Sequence, residues 1–278
     1  MDRINLPKFQ KTSILGLMLV VAGVLLLVDL RLKTRWLTIS IPAILGLILL
    51  VYGLLSSQKG WLISGSLVTG TGIGLFFALQ QLRELPLVEK FGYLTMFFAI
   101  SWLTIFLILK LVFQNSAWWS LICFAIFGGT SYALLFTQRN FLDFVLYILL
   151  PLGLVLLTWG MRRRLIGLII PGSILMTVAP GIYFAWNGST NPEGLTETGI
   201  MLVWFAFGWI LITVFSRIIY KKFIWWPLIP GGVLAMVGWG LYIGGNPSNA
   251  LGFVGNSGSI GLIIFGIYLL LLRFGIQK

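Results

Sequence analysis

The chain has 278 residues, of which 59% are hydrophobic and only 9% charged, with a formal net charge of +12 and no histidine. That balance excludes an ordinary soluble domain, in which about a quarter of residues are charged, and indicates an all-α, polytopic membrane protein. The missing histidine removes the usual haem and zinc ligand, the ordinary general base near neutral pH and any Ser-His-Asp centre, while the single cysteine, Cys123, lies in an apolar run and reads as a small hydrophobe.

Lys8 and Lys11 lead into a first apolar run at 13–28, which ends at "DLRLKTRW" without a small-residue cleavage site and is expected to remain as an uncleaved helix. Further runs follow at 37–56, 61–81, 91–113, 117–137, 141–160, 165–186, 199–219, 224–244 and 257–274. Each is near the ~20 residues that cross a bilayer as helix. Several are joined by short turns, so the pattern predicts one ten-helix domain over 1–278, folded as tight hairpins. The two longest connections, "NGSTNPEGLTETG" and "GGNPSNALGFVGNSGS", consist of turn-forming residues. The glycosylation sequon at Asn187 is read as incidental.

Ten spans divide the cations unequally. Thirteen of the nineteen Lys and Arg fall on the side of both termini, among them Lys59, Lys110, Arg162, Arg163, Arg164, Arg217, Lys221 and Lys222. The other side holds Arg31, Lys33, Arg35, Arg83, Lys90 and Arg139 together with every carboxylate except Asp2. The positive-inside bias predicts both termini in the cytoplasm. Arg162, Arg163, Arg164, Lys221 and Lys222 are the residues expected to meet anionic lipid headgroups. Scattered short basic loops do not suit nucleic acid.

A short motif recurs at 64–76, "SGSLVTGTGIGLF", 171–183, "PGSILMTVAPGIY", and 230–242, "PGGVLAMVGWGLY", aligning without gaps. A degenerate fourth copy falls in 117–137, and "WLTIFLILK" at 102–110 resembles "WILITVFSR" at 209–217. The repeating unit is therefore a hairpin, expected at about 37–81, 91–137, 141–186 and 199–244 in parallel orientation, with flanking helices at 13–28 and 257–274. Positions four apart give Ser66, Gly70 and Gly74, then Ser173, Thr177 and Gly181, then Gly232, Met236 and Gly240. Small residues at this spacing let another helix approach closely, so these stripes are predicted packing faces. Pro171 and Pro230 sit near helix starts, where a missing amide costs least.

Chemistry-bearing groups are few. Lys110 is expected to snorkel to headgroups, and Asp143 to sit in a first helical turn beside Arg139. Asp29 is a third polar group near a span end. Glu84 and Glu89 alternate with Arg83 and Lys90 in a turn that satisfies its own charges, and Glu193 and Glu197 read as solvated loop carboxylates. "GTGIG" at 70–74 lacks the Lys-Ser or Lys-Thr of a phosphate loop. Hydroxyls at Thr69, Thr71, Ser101, Thr104, Thr130, Ser131 and Thr213 either line a polar crevice or bond their own backbone. No catalytic, cofactor or metal site is expected.

The "WWPLIPGG" block with its Gly-rich helix, and the final "IGLIIFGIYLLLLRF" segment, resemble the Trp-Pro-Leu-Ile helices of small bacterial membrane proteins, including the transmembrane region of LiaF-type envelope stress proteins. The soluble C-terminal domain of that family has no counterpart here. The resemblance implies a bacterial inner-membrane protein. The expected role is non-enzymatic: a scaffold, accessory subunit or envelope factor contacting lipid and a membrane-protein partner or a second copy. The alternative is a ten-helix exporter of small solutes, although such exporters are built from inverted rather than parallel repeats.

Overall fold

A computed structural model describes residues 8–32, 36–115, 117–187, 194–221, 223–245 and 263–270. Among these residues the protein is helical throughout, without a strand. The helices are α1 (Lys8–Leu32), α2 (Trp36–Leu55), α3 (Lys59–Phe76), α4 (Leu87–Leu111), α5 (Trp118–Phe136), α6 (Phe141–Arg163), α7 (Ile166–Trp186), α8 (Leu195–Tyr220) and α9 (Leu228–Gly245). A helical stretch also covers 263–270. Eight of the helices, α2 to α9, are long and apolar enough to cross a membrane. The expected first span falls within α1, and most of the expected last span, 257–274, lies outside the described residues.

Helix ends follow local chemistry. α4 starts four residues before the apolar run because Pro86 is extended (φ −62°, ψ 152°) and its carbonyl accepts from the Glu89 and Lys90 amides at 3.0 and 3.2 Å. The proline thus supplies the stop and the first acceptor together. α8 also starts early, after Gly194 at φ 57°, a conformation favourable only to glycine. α9 begins at Leu228, after a turn in which the Leu228 and Ile229 amides donate to the Trp225 and Trp226 carbonyls at 3.0 and 3.3 Å. Pro230 therefore occupies the first helical turn, where its missing amide leaves no bond unmade. α3 runs on into one π-helical turn, Phe77–Gln81.

The chain forms two compact units, Met1–Val155 and Leu156–Lys278. In the first, α2 packs on α3, α3 on α4 and α4 on α5, so neighbours in sequence are neighbours in space. Ile105, Leu109 and Ala117 are buried there with Ile63, Leu67, Trp102 and Phe113 around them. In the second, α7 packs on α8 and α8 on α9. Large apolar side chains outside these seams are open, as Leu55 (82% exposed) and Phe141 (79%) are. That is the inverse of a soluble fold and fits helices whose outer faces meet hydrocarbon.

Candidate functional site

The closest helix contacts are made where side chains are absent. Along the antiparallel seam of α2 and α3, Ala43 meets Gly72, Gly46 meets Thr69, Leu50 meets Gly65 and Gly53 meets Leu62. A Cβ on any of these four glycines would collide with the backbone of the residue opposite. The glycines stand seven apart in each helix, Gly46 with Gly53 and Gly65 with Gly72. Reading α3 at four-residue spacing missed this second face.

The expected stripe of α3 faces α4. Ser66 is buried and donates from Oγ to the Ser101 carbonyl at 3.1 Å. A Cβ on Gly70 would lie 2.8 Å from the Phe97 carbonyl oxygen, and one on Gly74 3.2 Å from Leu94 Cα. Further along, Ser131 donates from Oγ to the Gly92 carbonyl at 3.0 Å, joining α5 to α4. α3 thus lies between two neighbours with small residues toward both.

In the second unit Ser173, Thr177 and Gly181 are buried where α7 meets α8. A Cβ on Gly181 would lie 2.5 Å from Trp204 Cβ, and one on Gly208 2.5 Å from Thr177 Oγ1. The third stripe behaves differently. Gly232 and Gly240 have nothing within 4 Å of a Cβ, and Met236 is 79% exposed. α9 instead meets α8 through Gly231, Gly238 and Gly245, again seven apart. A Cβ on Gly238 would lie 2.9 Å from the Gly199 carbonyl oxygen.

The correction has a physical reason. In α3 and α7 the aligned stripe faces the helix that follows in sequence, whereas the contact of α9 is with the helix that precedes it. The same alignment therefore selects a face that α8 does not touch.

Polar side chains concentrate at helix ends. Asp29 of α1 is buried, and its carboxylate accepts from the Thr38 amide at 2.7 Å and from the Thr38 hydroxyl, satisfying the start of α2. Asp143 is buried and accepts from the Asn140 amide at 3.1 Å. The expected pairing with Arg139 is absent, because Arg139 turns away to Glu89 (Nη2 to Oε1, 2.7 Å) and donates from Nε to the Leu134 carbonyl at 2.9 Å. Glu89 accordingly serves a second loop rather than its own turn, and Lys90 donates to the Arg83 carbonyl at 2.8 Å. Lys110 lies 5.4 Å from the Phe106 ring centroid. Glu197 is buried in the first turn of α8, contrary to the solvated-loop expectation, because that helix begins before it. Glu193 lies outside the described residues.

Most of the singled-out hydroxyls bond their own helix. Thr69, Thr71, Ser101, Thr104 and Thr130 donate to carbonyls three or four residues back. Three in the second unit do not: Ser173, Thr213 and Ser216 are each at most 2% exposed and their hydroxyls meet no hydrogen-bond partner. The first two carried a signal in the sequence. Ser216 carried none beyond its residue type.

The basic residues of the second unit converge. Tyr220 donates its hydroxyl to the Arg164 carbonyl, tying the end of α8 to the turn after α6. Arg217 reaches the Lys221 carbonyl at 3.4 Å, and the Lys221 amide returns to the Arg217 carbonyl at 3.0 Å. Arg162, Arg163, Arg164 and Lys221 are all exposed, while Lys222 lies outside the described residues. Two separate basic runs in sequence are one cluster in space.

No protein family, curated protein or solved structure matches the chain. Among the described residues no three His, Cys, Asp or Glu side chains gather as a metal-binding group. Two arrangements remain as candidates for function: glycine-lined helix seams and a basic cluster at one end of the second unit.

Proposed function

We propose that this is a non-enzymatic integral membrane protein that acts through helix packing and lipid contact, as a scaffold, accessory subunit or envelope-associated factor. The observation that carries this reading is the use of small residues. Glycine by glycine they bring helix backbones together, the principal means of association where lipid is as apolar as side chains. The centres of the described spans carry no ionisable residue, the usual mark of a transport path.

In this reading α1 and the segment 257–274 complete a ten-helix domain of parallel hairpin repeats. The protein lies in a bacterial cytoplasmic membrane with both termini inside, and the LiaF-type resemblance points to the same compartment. The basic residues rest on anionic headgroups, and a membrane-protein partner or second copy covers part of the remaining apolar surface. Native mass spectrometry of the protein in lipid nanodiscs tests this: stoichiometric protein companions are expected, and a solitary monomer would refute the scaffold role.

A small-solute exporter is the second reading. It is favoured by the buried hydroxyls of Ser173, Thr213 and Ser216, which could serve a polar solute between α7 and α8. Solute flux into liposomes by the purified protein would establish it in place of the first.

A further inference from the structure

The cations of the second unit stand without a counter-charge. Glu197 is the last carboxylate side chain of the chain, and within 156–278 only Glu193 joins it. Glu197 lies in the first turn of α8 and Arg217 in its last. Twenty residues of helix, ~30 Å at ~1.5 Å per residue, separate them. Across that distance one carboxylate does nothing for Arg162, Arg163, Arg164, Arg217 and Lys221, which sit at one end with the two loops held together by Tyr220. Like charges gathered at the boundary of a low-dielectric slab repel one another unless an outside anion enters among them.

Two features select the anion. The tip residues Arg164 and Lys221 adopt left-handed backbone conformations, φ 53° and 54°, and their side chains remain exposed while their backbones carry the loop contacts. The residues that follow are apolar and open: Leu165 is 48% exposed, Phe223 40%, Trp225 62% and Trp226 45%. A soluble anion would leave that apolar rim uncovered. A lipid places phosphate on the cations and its acyl chains along the rim, the arrangement aromatic belts and juxtamembrane cations both favour.

We propose that the paired loops at 162–165 and 221–226 bind one anionic lipid whose headgroup carries two negative charges on phosphate, with Arg164 and Lys221 contacting the phosphates and Tyr220 positioning the two loops. This rests on the lipid-contact reading above and makes it specific: one lipid at one place instead of a diffuse charged rim.

The test uses full-length protein in nanodiscs containing either cardiolipin or twice its mole fraction of phosphatidylglycerol, so that surface charge is equal. Lipid retained after release is read by native mass spectrometry. Cardiolipin is expected to stay bound one to one where phosphatidylglycerol does not. Arg164→Gln with Lys221→Gln should lower cardiolipin retention about tenfold or more, whereas Lys59→Gln with Lys110→Gln, which removes equal charge elsewhere, should leave it unchanged. Tyr220→Phe should weaken retention without changing the thermal midpoint. Equal loss in both double variants, or equal retention of the two lipids, would overturn the site. Displacement of the lipid by millimolar inorganic pyrophosphate, with pyrophosphate bound as well in lipid-free detergent, would overturn the lipid assignment. Nanodiscs present the same lipid on both faces, and protein companions are read separately. Failure of the scaffold or orientation reading therefore leaves this result interpretable, and the reverse also holds.

Discussion

Arg139 and Glu89 pair at 2.7 Å across fifty residues of sequence, joining the turn before α6 to the start of α4. Both side chains are about a third exposed, so solvent screens much of the attraction. Glu89→Gln should lower stability by less than ~1 kcal/mol. Arg139→Gln should cost more, because it also removes the Nε bond to the Leu134 carbonyl. A double-mutant cycle in detergent or bicelles measures the coupling, and a value near zero would mean that the turn holds without the pair.

Glycine substitutions should divide by face. Gly65→Ala and Gly72→Ala force a methyl against the backbone of α2, and Gly238→Ala forces one against the Gly199 carbonyl. Overpacking of this kind costs roughly 1 to 3 kcal/mol. Gly232→Ala and Gly240→Ala meet open space and should be neutral or slightly stabilising, since alanine is favoured over glycine within a helix by up to about 1 kcal/mol. Thermal midpoints of the five variants in one detergent decide this. A loss at Gly232 would reveal another helix on that face.

The interhelical serines should matter less than the glycines. Ser66→Ala removes one bond to the Ser101 carbonyl, and Ser131→Ala one to the Gly92 carbonyl. Such bonds average about 0.6 kcal/mol in membrane proteins. The two lie in different seams, so their effects should add. A combined loss far above the sum would show that α4 couples the seams.

Asp29→Ala should detach the start of α2 from α1. The carboxylate accepts both the amide and the hydroxyl of Thr38, so the loss should be ~1 kcal/mol or somewhat more. Thr38→Val, which removes the hydroxyl but keeps the amide, should cost less. Hydrogen exchange at the first amides of α2 reads the effect locally, and unchanged protection in Asp29→Ala would assign the cap to another group.

The sequence alone determined the class and the elements. Apolar runs near bilayer length, with charge confined to their ends, leave helix as the conformation that satisfies every backbone amide away from water, and α2 to α9 follow those runs within a few residues. It also determined that Ser66, Gly70 and Gly74 or Ser173, Thr177 and Gly181 form a face, because four-residue spacing is a property of one helix. Which neighbour a face meets belongs to two helices and was decided only in the tertiary structure. Gly231 and Gly238 meet α8 while Gly232 and Gly240 do not, and one residue of rotation, about 100° at 3.6 residues per turn, separates those outcomes. Charge partners divide in the same way. Arg139 lies four residues from Asp143 yet pairs with Glu89, and Arg164 lies far from Tyr220 in sequence yet receives its hydroxyl. Electrostatic attraction and hydrogen bonding depend on distance through space, and that distance exists only after the helices have packed.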